Sequence, residues 1–160
     1  MEYVYFKGKG SWFQHLFQLD DEFQKWHVTL HFIPESLDTF RGLKLKTHLK
    51  KDDDGYYAKL SRPSRKVTKG GKEIVFSPPK IFDKDGLPMD NGTRIGNGSD
   101  ITVKCELYQY SPPGGKNKEN AIRLESVRVD NLIPYNPDKD YTKEEAKAAE
   151  GLTSQPAPLF

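Results

Sequence analysis

The sequence predicts an all-β fold, a small barrel of about five main strands with one short helix and a mobile C-terminal tail. Three observations predict it. Apolar residues alternate over short segments up to Ile133, Gly, Pro, Asp and Asn clusters separate those segments, and the pattern stops at Pro134-Tyr135-Asn136-Pro137. A chain of 160 residues suits one domain with attached segments. Residues 1–133 are expected to form the domain, and 134–160 a linker, a short helix and a tail.

Taken in order, the first strands are predicted at Tyr3 to Phe6, at Ser11 to Leu19 after a Gly8/Gly10 bend, and at Gln24 to Ile33. The segment from Pro34 to Gly42 carries Pro at its start and Gly at its end, the punctuation of a short helix. Leu43, Leu45 and Leu49 then alternate with Lys44, Lys46, His48 and Lys50, which predicts a strand with leucines on one face and cations on the other. The polar tract Lys51 to Gly55 supplies a turn. On the return, Tyr56, Ala58 and Leu60 take the buried phase, and Tyr57, Lys59 and Ser61 join the cations. Later strands are expected at Ile74 to Phe76, Ile101 to Tyr110 and Ala121 to Leu132. In the last, the apolar phase shifts between Ile122/Leu124 and Val127/Val129, which predicts a β-bulge near Ser126. A bent sheet of this size with one helix fits a closed barrel of the OB type better than a sandwich.

Beyond Ile133, Thr142 and Glu145 form a capping-box signature for a helix to about Glu150. Residues 151–160 lack the composition for a core and are expected to be mobile, with apolar Leu159 and Phe160 exposed.

Charge is uneven along the chain. Arg41 to Lys80 holds twelve Lys or Arg against four acids, a surplus of eight, whereas 134–160 holds three Lys against five acids. A basic centre points to a polyanionic ligand. Aromatics make up 12% of the chain and must serve the core, a binding surface, or both. The single cysteine, Cys105, closes no intramolecular disulfide and suggests a reducing compartment. No apolar run approaches the roughly 18 to 20 residues that span a bilayer, and the N-terminus lacks a signal-peptide pattern. The expected location is the cytoplasm, with no membrane partner.

Several phrases together resemble the OB-fold single-stranded DNA-binding proteins of tailed bacteriophages. They are Phe6-Lys7-Gly8-Lys9-Gly10-Ser11-Trp12, Lys25-Trp26-His27-Val28-Thr29-Leu30, and Phe76-Ser77-Pro78-Pro79-Lys80-Ile81-Phe82-Asp83. Ile95-Gly96-Asn97-Gly98-Ser99-Asp100-Ile101-Thr102-Val103 follows, leading to Leu107-Tyr108-Gln109-Tyr110, and Leu124 to Leu132 completes the set. The likeness spans residues 2–133. It implies sequence-nonspecific binding of single strands in phage replication, recombination or repair, in the cytoplasm of an infected host. It also implies a viral polymerase or helicase as partner, reached through a tail ending in an aromatic residue preceded by acids. Phe160 matches that ending, but Thr153 to Leu159 contains no acid.

A single-strand binder needs cations along a groove and flat side chains for unstacked bases. The predicted hairpin face with Lys44, Lys46, His48, Lys50, Tyr57 and Lys59 meets both needs. Arg62, Arg65, Lys66, Lys69 and Lys72 are expected to continue the track through a loop that clamps the groove. Tyr57 is the first stacking candidate, Tyr108 and Tyr110 the second, and Trp12 and Trp26 could be core or platform. Tyr56 and Phe76 are assigned to the core by phase. His27 and His31, four apart on a strand, do not converge on a metal, so no metal and no cofactor is expected. Asp83-Lys84-Asp85-Gly86 reads as a turn rather than a calcium loop, and Gly96 to Ser99 precedes a strand rather than a helix, which weakens it as a phosphate cradle. No nucleophile stands with a base at motif spacing, so no enzyme is expected. A duplex, junction or RNA binder on the same fold stays open, as do a protein-interaction or virion assembly module and self-association as a homodimer.

Overall fold

The computed structural model describes residues 2–45, 48–68, 70–89, 95–111 and 118–135. The long strands are β1 (Glu2–Ser11), β2 (Lys25–Phe32), β4 (Gly55–Pro63), β8 (Ser99–Tyr110) and β9 (Glu119–Asn131). Short strands β3 (Lys50–Asp52), β5 (Arg65–Val67), β6 (Glu73–Val75) and β7 (Lys80–Phe82) accompany them. Two helices, α1 (Gln14–Phe17) and α2 (Pro34–Gly42), complete the described elements. The main sheet has the order β3-β4-β2-β1-β8-β9-β7, and β5 pairs with β6 separately. Neighbours are antiparallel except β7 and β9, which run parallel. This is the expected all-β, OB-like architecture, with five long strands and one more helical turn than expected.

Alternation produces the core. On β1 Phe6 points inward, on β2 Val28 and Leu30, on β4 Ala58 and Leu60, and on β8 Ile101, Val103 and Cys105. Leu124, Val127 and Val129 of β9 close the set. Helix α2 plugs this interior with Phe40, whose ring centroid lies 4.9 Å from Phe32 and 5.6 Å from Phe6. The expected bulge falls at Glu125: Lys104 faces Ser126 but Cys105 faces Leu124, so Glu125 is the extra residue. Such a residue re-aims its side chain, and the Glu125 carboxylate turns toward Arg62 on β4.

Arg62 corrects its expected place in a loop clamp. It lies within β4, is only 9% exposed, and joins the two ends of the curled sheet. Its Nε donates to the Ser77 carbonyl at 2.7 Å and its guanidinium reaches the Leu124 carbonyl of β9 at 3.2 Å. The β4 to β9 seam is thus closed by a side chain in addition to packing.

Three local expectations are overturned. Gly8 and Gly10 do not bend the chain, since β1 runs through both; each occupies the inward phase where another group comes too close for a side chain. Residues 12–19 are not a strand, and Ser11 ends β1. The chain reverses at Trp12, whose left-handed φ of 58° is unusual for a bulky residue, and whose amide donates to Asn97 Oδ1 at 3.0 Å. Helix α1 follows and buries Phe13 and Leu16 beneath it. The described residues of 43–49 form no strand either: Lys44 has a left-handed φ of 52° at the end of α2, and pairing with β4 begins at Lys50. The leucines still point inward, because Leu43, Leu45 and Leu49 are half-buried against the core. The Gly96 to Ser99 turn is structural, with Gly98 N–H donating to the Gly10 carbonyl. Asp83 Oδ1 accepts from the amides of Asp85 and Leu87, which makes the expected turn.

Cys105 is fully buried, and burial pushes its thiol well above the ordinary range. The folded protein is therefore expected to resist a thiol-specific reagent such as DTNB, with one thiol appearing on urea unfolding. Rapid labelling of the native protein would contradict this placement.

Candidate nucleic-acid interface

Residues directly opposite one another on antiparallel strands share a sheet face, so the ladder registers define a surface row. Lys50 of β3 faces Tyr57 of β4, Tyr57 faces His31 of β2, His31 faces Lys9 of β1, and Lys9 faces Asp100 of β8. The row points out of the barrel. Tyr57 and His31 stack with centroids 4.9 Å apart and planes 30° apart, and both are half-buried. His31 Nε2 lies 2.9 Å from Asp52 Oδ2, which fixes the imidazole plane. Lys59, exposed, is the next residue of β4 on the same face, opposite Thr29. The result is a tilted aromatic pair bordered by ammonium groups, of which Lys9 pairs with Asp100 at 3.1 Å.

The same outward phase continues across β1, β8 and β9. Tyr3 and Tyr5 alternate with Val4 and buried Phe6. Tyr5 is 57% exposed, and Lys104 Nζ sits 4.2 Å above the Tyr3 ring. Lys7 lies opposite Thr102, which in turn faces Arg128. Neither Tyr3 nor Tyr5 was among the expected site residues, although the alternation of Tyr3, Val4, Tyr5 and Phe6 carries the signal.

A second cluster stands at the other end of β4. Phe76 and Tyr108 flank the Arg123 guanidinium at 4.6 and 4.5 Å, Arg62 lies 5.2 Å from Phe76, and Lys66 lies 5.6 Å from Tyr108. Arg123 also pairs with Glu106 at 3.2 Å. Cations stacked on ring faces are attracted by the ring quadrupole, so this ladder is self-consistent without a ligand. Phe76 belongs to it and not to the core. Tyr56 is likewise outside the core, held between Arg41 at 4.5 Å and Lys51 at 5.3 Å.

Of the expected site residues, the structure brings together Lys50, Tyr57 and Lys59. Lys44, exposed at the end of α2, and His48, exposed ahead of β3, are not in strands of the ladder. Arg65 and Lys66 stand on β5 of an exposed hairpin, Arg65 pairing with Glu73 at 3.5 Å. Tyr110 points its hydroxyl at Glu119. Trp12 is 50% exposed, whereas Trp26 is buried. Lys46, Lys69, Leu159 and Phe160 lie outside the described residues.

Among the described residues, burial and hydrogen bonding shift two groups besides Cys105. Desolvation holds the His27 imidazole below its ordinary range, partly opposed by its hydrogen bond to Asp20. That same bond lowers the Asp20 carboxyl. Both effects favour an ionised Asp20 beside a neutral His27.

The fold class is that of a small OB-like barrel with a basic, aromatic outer face. Among solved structures this chain is similar to gp2.5, a single-stranded DNA-binding protein encoded by bacteriophage T7, with a TM-score of 0.60 and 16% identity over 89% of this chain and 99% of that one. It is also similar to the single-stranded DNA-binding protein from bacteriophage Enc34, with a TM-score of 0.54 and 13% identity over 91% of this chain and 89% of that one. The Enc34 protein in complex with single-stranded DNA gives a TM-score of 0.56 at 10% identity, over 84% and 89% of the two chains. These likenesses establish a shared fold. No family model and no curated relative matches the sequence. Among the described residues no helix is long and apolar enough to cross a membrane.

Proposed function

We propose that this protein binds single-stranded DNA without sequence preference, as a non-enzymatic component of phage replication, recombination or repair in the cytoplasm of the infected host. The row Lys50–Tyr57–His31–Lys9 carries this reading, supported by a fold shared with phage single-stranded DNA-binding proteins. The stacked pair offers a platform for an unpaired base, and Lys50, Lys59 and Lys9 lie where phosphates on either side can be neutralised. A duplex keeps its bases in the stack and gains nothing from the platform, so single strands are favoured. Lys66 and Arg65 on the exposed hairpin extend the cationic track, and Tyr5 and Tyr108 add further ring surface.

The test is fluorescence anisotropy with a labelled oligo-dT across a salt series. Tyr57→Ala is expected to weaken binding by about 5- to 150-fold, the range for losing one stacked base, with an unchanged salt slope. Lys59→Ala is expected to reduce that slope by about 0.7, the value for one phosphate contact on a single strand. No binding at low salt, or equal slopes for the two variants, would overturn this reading.

A further inference from the structure

Outside the strand-binding row, the described residues bring together a second group of chemically capable side chains. His15 comes from α1, Asp20 from the turn after it, and His27 from β2. One donor atom from each falls within 4.8 Å of the others. We propose that His15, Asp20 and His27 form a binding site for a transition-metal ion of the zinc type.

The geometry supports this in three ways. First, Asp20 is held in place: its amide donates to the Lys25 carbonyl at 3.0 Å, its carbonyl accepts from Gln24 at 2.7 Å, and its Oδ1 accepts from the Glu22 amide at 3.1 Å. Its other oxygen, Oδ2, is left facing His27 Nε2 at 2.9 Å. Second, His15 Nδ1 lies 3.2 Å from the Gln18 carbonyl. A carbonyl can only accept, so Nδ1 carries a hydrogen, and Nε2 is the nitrogen available to an ion. A ligating imidazole is ordinarily oriented in this way, with its second nitrogen donating to a backbone carbonyl. Third, the His15 and His27 rings are 4.8 Å apart at 41°, and His27 is only 5% exposed, so the ligand shell already excludes water on one side.

Two imidazoles and one carboxylate are the donor set of zinc-like ions rather than of magnesium or calcium. Ligand atoms around a tetrahedral ion with bonds of about 2.0 to 2.1 Å stand about 3.3 Å apart. The Asp20 to His27 edge is already near that value, and closing the group requires only that half-buried His15 move inward from its four-residue helix. The ion takes the place of the hydrogen between His27 Nε2 and Asp20 Oδ2, and the imidazole then carries its hydrogen on Nδ1, a buried atom with no acceptor, a cost that ligation must offset. Bound through one carboxylate and two imidazole lone pairs, the donor set brings one negative charge to the ion. The ion joins α1 and the 20–25 turn to β2. His27 shares the outer face of β2 with His31, and Thr29 between them faces Lys59, so the site borders the strand-binding surface. Sequence spacing conceals it, because His27 is joined by His15 rather than by His31, its neighbour four residues on.

The test is isothermal titration of the full chain, first stripped with EDTA, with ZnCl2 and separately with CoCl2. One equivalent is expected to bind, with visible absorption from four-coordinate cobalt. His15→Ala and Asp20→Asn are each expected to weaken binding about tenfold or more, with unchanged far-UV circular dichroism. His31→Ala is expected to leave metal affinity unchanged. Absence of saturable binding would overturn the proposal. So would an equal loss in His31→Ala, which would move the ion to His31, Asp52 and Asp54, the other set of suitable spacing.

Discussion

Arg62→Ala is expected to lower the unfolding free energy by about 3 kcal/mol, read as a fall in the urea midpoint followed by the fluorescence of buried Trp26. The estimate does not rest on the ion pair with Glu125, whose side chain is 27% exposed and therefore partly screened. It rests chiefly on the buried Leu124 carbonyl, which loses this donor when the guanidinium is removed, and on the packing of the buried side chain; the carbonyl of exposed Ser77 can turn to water. A buried acceptor without a partner costs about 1 to 3 kcal/mol. Arg62→Lys is expected to recover less than half of the loss, because an ammonium group cannot direct a planar fork at two separated carbonyls. Arg62→Met keeps the aliphatic stem but neither donor, so it should resemble the alanine variant. A midpoint unchanged by all three substitutions would show that the seam between β4 and β9 holds by packing alone.

The placement of Arg62 shows where sequence patterning runs out. Helix α2 was fully legible, because Pro34 and Gly42 act locally and their punctuation needs no tertiary partner. Strand β8 was legible for the same reason, since Ile101, Val103 and Cys105 alternate with polar neighbours and the buried side follows directly. The stretch 43–49 was half legible. Its leucines do face the core, but alternation specifies side-chain direction and not ladder pairing: Lys44 takes a left-handed turn after α2, and pairing with β4 begins at Lys50.

Helix α1 was missed although its signal was present. Phe13, Leu16 and Phe17 follow the i, i+3, i+4 spacing of a helical face, and the alternation around them obscured it. Arg62 and Phe76 were misplaced for a different reason. Arg62 continues the inward phase of Ala58 and Leu60, but a cation in a basic tract reads as solvated until β9 is known to supply carbonyls on the other side. The candidate interface shares this limit. Tyr57 and Lys59 were readable from β4 alone, whereas His31 and Lys9 join them only through the registers of β2 and β1.

Gly8→Ala is expected to destabilise the fold by about 3 kcal/mol or more, and Gly10→Ala by about 1 to 2 kcal/mol. Replacing a strand glycine with alanine ordinarily stabilises by about 0.4 to 1 kcal/mol where the backbone permits, by reducing the freedom of the unfolded chain. Here the sign reverses because of what a methyl group meets. At Gly8 it would overlap the backbone carbonyl of His31, and that strand is fixed on both sides by its pairing with β1 and β4. At Gly10 it would meet the Phe13 ring at 2.5 Å and the Ile101 side chain at 2.7 Å, groups that can turn or shift. Backbone resists where side-chain ends yield, so Gly8 should be the more sensitive position. Urea midpoints of the two variants measured side by side decide the matter: a Gly10 variant less stable than the Gly8 variant would mean that β1 and β2 can separate more easily than α1 can repack.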